Sequence, residues 1–394
     1  MFDEPSEPWH FATARQQTRV QALRAALGIL RSTFSIAVVS RFEEYKTAGG
    51  KWLRHAGYFE EHRIQVRWLI RKAALLAKTS HEQQPDSEHL GAFYRDEIIW
   101  LYNECGVICL VQGNLIDAVT LFRHALIRNQ QIEGFGDNGA QHCRIQLNLA
   151  VAQIERGRLS SALPRLQAVL RNCARESEIY AMADGYLALV HHLKGEGHLA
   201  MQHYTLALNR LRELQDSRAV SIFARHCADL HRHLGQLDQC RSLVAESVAA
   251  AEGGGHEDLL KKAQLSLVRL SIVSDGTTHV RDHLHQLRQI ESYANTMDMP
   301  ALYCEANHLH AELLLAQGET TLAGKLLQNV ISKANRNGLQ LRLTSALTLY
   351  GKVMLSRNEN DNGRKLLLTA LEMVKKYGVQ IEIDRIEKNL VAFK

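Results

Sequence analysis

Residues 102–125 read YNECGVICLVQGNLIDAVTLFRHA, and this stretch decides the fold. Two runs with helical apolar periodicity flank Gly113, whose lack of a Cβ suits it to a tight turn. Small residues, Gly106 and Ala118, stand seven positions before and five positions after that turn, and the bulky Phe122 follows nine positions after it. The pattern predicts two antiparallel helices whose backbones approach closely where the small residues face each other.

The same pattern recurs along the chain. A small residue and a bulky one follow each turn at the same two distances, in Gly157/Ala162/Leu166, Gly195/Ala200/Tyr204, Gly235/Cys240/Val244, Gly318/Ala323/Leu327 and Asn358/Gly363/Leu367. A unit at Gly276 keeps the turn but breaks the pattern with Arg269, Arg281 and His285. One helix pair cannot bury its apolar face alone, so the pairs are expected to stack.

The seven turns are 44, 38, 40, 41, 42 and 40 residues apart. This period predicts an all-α fold, a right-handed superhelical solenoid of antiparallel helix pairs. Composition agrees, because only 5 of 394 residues are proline and 46% are hydrophobic, which disfavours sandwiches, barrels and long disorder.

Charge and cysteine usage indicate the setting of the protein. The net charge of +5 is mild, and the seven cysteines form no CxxC pair, which favours a reducing, cytoplasmic location. No apolar stretch reaches the length of a membrane span, and residues 1–8 lack the pattern of a signal peptide. We therefore expect no membrane partner.

The repeat resembles the tetratricopeptide repeat, most closely in residues 102–125, 148–166 and 186–207. Its period, nearer 40 than 34 residues, is similar to that of the sensor arms of maltose-activator-type regulators and signal-transduction NTPases. The resemblance covers roughly residues 96–377 and implies a binding groove on the concave side, lined by the first helix of each pair.

The repeats divide the chain into four segments. We expect an N-terminal capping helix in residues 1–33, a divergent repeat and loop in 34–95, seven helix pairs in 96–377, and a C-terminal capping helix in 378–394. The glycine-rich residues 252–256 (EGGGH) predict a flexible joint between the fourth and fifth pairs.

Motifs for catalysis or cofactor binding are not evident. No GxxxxGK[ST] phosphate loop and no HExxH metal motif is present, although His279 and His283 have metal-compatible spacing. Cys227 and His231 could touch on one helix, but Cys227 occupies a packing position, which favours an inert thiol. We expect no enzyme activity, no catalytic residues, no cofactor and no metal site.

The N-terminal segment carries a basic strip, defined as Arg63, Arg67 and Arg71, which recur every four residues. Residues 1–81 hold 13 Lys+Arg against 7 Asp+Glu. The strip is either a solvated helix face or a docking surface for an acidic protein or a nucleic-acid backbone.

The repeat register assigns a second set of polar residues to the concave side. These residues are Asn103, Arg144, Asn148, Arg225, Asp229 and Arg232. Asn148 resembles the asparagine that peptide-binding tetratricopeptide repeats use to hold a ligand backbone. The arginines could pair with carboxylates, so we expect a protein or peptide partner, possibly acidic.

Three functions remain open from the sequence. The first is a non-catalytic scaffold that holds a peptide or protein segment in its groove. The second is a regulatory sensor that controls a separate protease, NTPase or transcription factor. The third and weakest is nucleic-acid binding through the basic strip, which strong salt dependence would reveal. Neither the partner nor the oligomeric state can be inferred.

The register makes a prediction about stability. Ala118→Arg and Ala162→Arg each place a long charged side chain where two helices cross, and we expect each to cost at least ~3 kcal/mol of unfolding free energy. Wild-type-like denaturation midpoints for both variants would refute the assigned register.

Overall fold

The structure is a computed structural model that describes residues 67, 70, 71, 88–130, 139–276 and 278–392. Most of residues 1–87, including the expected N-terminal cap and most of the divergent repeat, lie outside the described residues. Within the described parts every regular element is a helix and no strand occurs. The predicted all-helical solenoid of helix pairs is thereby confirmed.

Fifteen helices follow one another in the described residues. The seven pairs are α1 (Glu88–Gln112) with α2 (Leu115–Gln130), α3 (Ala140–Glu155) with α4 (Leu159–Asn172), α5 (Glu178–Leu193) with α6 (Gly197–Glu213), α7 (Ser217–His233) with α8 (Leu237–Gly253), α9 (Glu257–Asp275) with α10 (Val280–Thr296), α11 (Pro300–Ala316) with α12 (Thr320–Asn337), and α13 (Gln340–Ser356) with α14 (Asn360–Tyr377). A single helix, α15 (Gln380–Ala392), ends the series.

Small residues let the two helices of a pair cross closely. Ala118 and Ala162 are fully buried, and so is Phe122. A Cβ built on Gly106 would lie only 2.6 Å from the Phe122 ring. The gap that glycine leaves in α1 is therefore filled by the aromatic ring from α2, which is close packing between unlike side chains.

The solenoid turns back on itself, so that the early helix pairs contact the late ones. A Cβ at the Gly113 turn would lie 2.7 Å from Ala301 Cβ at the start of α11, and one at Gly157 would lie 3.2 Å from both Leu341 and Tyr377. One hydrophobic core joins α1 with α9, α10 and α11, and another joins α3, α5 and α7 with α13, α14 and α15. The sequence did not predict that the late helix pairs pack as a second layer on the early ones.

The expected flexible joint is an ordinary short turn. Helix α8 ends at Gly253 and α9 begins at Glu257, like the neighbouring connections. The Ser217 hydroxyl lies 3.3 Å from Nε2 of the buried His256, and Arg218 pairs with Asp258 at 3.4 Å. These contacts tie the turn to the start of α7, so the glycines serve a tight connection here.

The fifth pair is irregular, as its sequence is. Helices α9 and α10 contact each other much less than the helices of the other pairs do. Arg269 stands where other units have a small residue that faces the partner helix, and it pairs instead with Asp229 of α7 at 3.6 Å. A long charged side chain in that position prevents close crossing of α9 and α10.

Glycine substitutions test the contact between the two layers. Gly113 and Gly235 both have positive φ, at 89° and 74°, but only Gly113 faces a neighbour, because nothing lies within 4 Å of a Cβ at Gly235. Gly235→Ala should cost about 1–2 kcal/mol of unfolding free energy through backbone strain alone. Gly113→Ala should cost clearly more, because the turn must also move away from Ala301.

The measurement is chemical denaturation of both variants beside the wild type, with the radius of gyration from solution scattering. Equal costs for the two substitutions would contradict the contact at Ala301.

Candidate functional site

The inner side of the superhelix forms a half-open cavity of about 770 Å³. Its wall is formed by the first helix of six pairs, α3, α5, α7, α9, α11 and α13, and by the closing helix α15. Early and late helices both contribute to this wall, so the cavity depends on the contact between them. A volume of this size suits a ligand of small-molecule or short-peptide size.

Charged residues of both signs line the cavity in equal number. The six cationic side chains are Arg225, Arg232, Arg269, Arg342, Arg385 and Lys388, and the six acidic ones are Glu155, Asp229, Glu305, Glu312, Glu382 and Asp384. Four histidines, His192, His226, His233 and His308, complete the polar part of the wall. The charged side chains of the wall therefore balance, and the late helices α11 and α15 supply four of the six carboxylates.

Ion pairs across neighbouring helices fix several of these charges. Asp229 lies 3.3 Å from Arg232 on its own helix and 3.6 Å from Arg269 on α9. Burial alone would raise the pKa of Asp229, but Arg269 and Arg232 together lower that pKa well below its ordinary value. Glu305 of α11 pairs in the same way with Arg342 of α13. These pairs join α7 to α9 and α11 to α13.

A hydrogen-bonded chain of side chains runs from α7 to α5. Arg232 Nη2 lies 2.9 Å from His233 Nε2, and His233 Nδ1 lies 2.8 Å from His192 Nε2. A guanidinium only donates, so His233 Nε2 accepts, His233 Nδ1–H donates to His192, and the neutral His192 carries its proton on Nδ1. His192 Nδ1 is buried and has no partner among the described residues. His192 therefore keeps one buried N–H donor without an acceptor in the described residues.

The residues predicted for the concave side fall into two groups. Arg225, Asp229 and Arg232 line the cavity. Asn148 instead donates to Asn103 Oδ1 at 2.9 Å, which joins α3 to α1, and Arg144 is exposed. Asn103, Arg144 and Asn148 are not part of the cavity wall.

The basic strip is only partly described. Arg63 lies outside the described residues, whereas Arg67 and Arg71 are both exposed. Arg67 lies 3.7 Å from Asp117 at the start of α2, so this arginine has a counterion within the chain.

Apart from Asp229, the carboxylates of the wall could not be predicted from the sequence. Glu305, Glu312 and Arg342 belong to α11 and α13, and nothing local marks them as neighbours of α7. Arg269 did carry a signal, because it replaces a small residue of the repeat. A charged residue in such a position is explained by its ion pair across the cavity wall.

Burial and local hydrogen bonds account for Cys227 and His231, the pair considered for catalysis. Burial raises the pKa of Cys227 to about 12, so its thiol stays protonated at neutral pH. His231 Nδ1 lies 2.6 Å from Gln236 Oε1 across the Gly235 turn, and His191 makes the same kind of contact with Glu196. In the parts of the chain that the structure describes, no three His, Cys, Asp or Glu side chains form a metal-binding group. None of the described helices is both long and apolar enough to cross a bilayer.

Comparison with known proteins gives the fold. No family model matches the sequence, and no curated protein matches it. Among solved structures, the chain is similar to a Rap protein complexed with Competence and Sporulation Factor, at a TM-score of 0.59 and 11% identity over 86% of this chain and 98% of that one. The fold is a tetratricopeptide-repeat-like solenoid.

Two further solved structures are more distant. A tetratricopeptide repeat protein from Parabacteroides merdae has a TM-score of 0.38 and 15% identity, over 72% of this chain and 98% of that one. A signal transduction ATPase with a tetratricopeptide repeat sensor, from Pyrococcus horikoshii, has a TM-score of 0.42 and 16% identity, over 91% of this chain and 54% of that one. At these identities the likenesses concern the fold and carry no site residues.

The cavity histidines make a prediction about pH. Burial lowers the pKa of His192 to about 4, whereas an unfolded histidine titrates near ~6.5. Between these values the unfolded chain binds a proton that the folded chain does not bind. The free energy of unfolding should therefore fall as the pH is lowered from about 6.5 to about 4, by up to ~3 kcal/mol from this residue.

The check is chemical denaturation over this pH range for the wild type, for His192→Phe and for His198→Gln, since His198 is exposed. The His192 variant should show a shallower pH dependence, and the His198 variant should match the wild type. An unchanged slope in His192→Phe would mean that this imidazole is not the buried titrating group.

Proposed function

We propose that this protein is a non-catalytic interaction protein that holds a short peptide, or a short segment of a partner protein, in its central cavity. The observation that carries the proposal is the half-open 770 Å³ cavity, whose wall combines apolar side chains with arginines, carboxylates and imidazoles. Such a mixture supports recognition of an extended polar segment, whose backbone and side chains need both donors and acceptors.

The size of the cavity favours a peptide over a folded partner. A stable interface with a folded protein usually buries about 800 Å² on each side, which calls for an open surface. Here the wall is concave and formed by seven helices, which suits a short segment better than a broad flat interface. The solved Rap structure with a similar fold is a complex with Competence and Sporulation Factor, which supports a role in binding a partner.

A regulatory sensor is the second candidate, and one observation favours it. The cavity wall contains helices from both layers of the superhelix, such as α5 and α13, which are far apart in sequence. A ligand that contacts both layers stabilises the closed form, and this preference is what a sensor needs to control a separate effector.

Blocking the cavity tests the proposal. Val273 is 51% exposed and lines the cavity, and Leu206 is 62% exposed on the outer helix α6. Val273→Trp fills part of the cavity without entering a packed core, and Leu206→Trp adds the same bulk on an outer helix. Each variant and the wild type are equilibrated with the peptide fraction of the native host, and retained peptides are quantified by mass spectrometry.

We expect the wild type and Leu206→Trp to retain the same peptides, and Val273→Trp to retain at least about tenfold less, because it occupies the ligand's volume. Equal retention by both tryptophan variants would place binding outside the cavity. An Arg67→Gln variant that alone loses binding would assign the function to the basic strip.

A further inference from the structure

In the described residues, five charged side chains of the cavity wall have no arginine, lysine or carboxylate of opposite charge at ion-pair distance. Two of them, Asp384 and Lys388, are exposed on α15, and the other three, Arg225, Glu155 and Glu312, are half-buried. Three of the acids have arginine partners, namely Asp229, Glu305 and Glu382. Among the described residues, however, no carboxylate lies within 4 Å of the Arg225 guanidinium, which donates instead to His226 Nε2 at 3.2 Å. Glu155 and Glu312 likewise have no arginine or lysine within that distance in the described residues, and Glu312 lies 3.4 Å from His308.

The three half-buried charges lie on different helices and are only partly open to solvent. Arg225 is in the middle of α7, Glu155 is the last residue of α3, and Glu312 is in the last two turns of α11. All three side chains are half-buried in the wall. A charge in such an enclosed place loses part of its hydration, so an opposite charge brought by a ligand is worth more there than on an open surface.

The hydrogen bonds of the wall also favour an anionic group next to α7. The chain from Arg232 through His233 leaves His192 Nδ1–H as a buried donor without an acceptor, on the helix next to Arg225. Arg225 donates to His226 Nε2, so the neutral His226 also carries its proton on Nδ1. The donor on α7 that lines the cavity without a carboxylate partner is therefore the Arg225 guanidinium, which an oxygen-rich anionic group satisfies.

We infer that the ligand of this cavity is a short peptide that carries an acidic and a basic side chain, the first bound by Arg225 and the second by Glu155 and Glu312. The inference rests on the proposed function and narrows the expected acidic partner to one with charges of both signs. A purely acidic peptide would leave two carboxylates of the wall without a counterion and would be repelled by them.

Defined peptide pools test this inference. Four pools of six-residue peptides with acetylated and amidated ends share one background of uncharged residues. Two randomised positions are both uncharged in the first pool, contain Glu in the second, contain Lys in the third, and contain one Glu and one Lys in the fourth. Retention by the full chain is measured by mass spectrometry after equilibrium dialysis.

The pool with both charges should be retained at least about tenfold more than any other pool. Arg225→Gln should lower its retention to that of the Lys pool, and Glu312→Gln should lower it to that of the Glu pool. Arg144→Gln is the matched control, because Arg144 is an exposed arginine outside the cavity wall, and it should leave retention unchanged. Thermal denaturation of each variant verifies that it is folded.

The outcomes separate the inference from the proposed function. Retention of the Glu pool equal to that of the mixed pool overturns the requirement for both charges, and peptide binding in the cavity still stands. Retention of none of the pools also overturns the inference, while the host-peptide experiment with Val273→Trp decides the proposed function independently. Loss of binding in Arg144→Gln equal to that in Arg225→Gln would contradict the assignment to the cavity.

Discussion

The contact between the early and late helix pairs, made at the turns of Gly113 and Gly157, is the constraint on which the rest of the structure depends. Stacking of helix pairs by itself produces an open, curved array whose concave side is solvent. In this chain the turn glycines leave room for Ala301, Leu341 and Tyr377, so the second layer packs directly on the first. The concave side thereby becomes a half-open cavity lined by helices of both layers.

Closure also decides the electrostatics of the cavity. Helices α7 and α9 alone would present Arg225, Arg232 and Arg269 around one carboxylate, Asp229, and would attract any anion. The helices of the second layer bring Glu305 and Glu312 to the same space. The resulting wall is neutral as a whole but uneven in detail, which favours selective binding of a ligand with a matching arrangement of charges over general attraction of acidic partners.

Much of the fold could be predicted because the deciding signals are local. A turn glycine, a small residue five positions later and a bulky residue nine positions later define one helix pair wherever they occur, as at Gly113, Ala118 and Phe122. Closure could not be predicted in this way, because it depends on small rotations summed over many pairs.

The candidate site could likewise be predicted only in part from the sequence. The repeat register assigned Arg225, Asp229 and Arg232 to the inner side, where they line the cavity. It assigned Arg144 and Asn148 by the same rule, but Asn148 bonds to Asn103 of α1 and Arg144 is exposed. Periodicity gives the face of a helix, whereas the part of that face that borders the cavity follows from how the superhelix closes.

The most direct measurement of the central claim, that the cavity receives a short ligand, is site-specific photo-crosslinking. A photoreactive amino acid replaces Ser345 in the cavity wall or, in a second protein, the exposed Leu206 on α6. Both proteins are irradiated with the peptide fraction of the native host, and the masses of the intact adducts are determined. Our account predicts adducts of short-peptide mass at position 345 and none at position 206. Adducts at position 206 alone, or adducts with the mass of a folded protein at position 345, would contradict it.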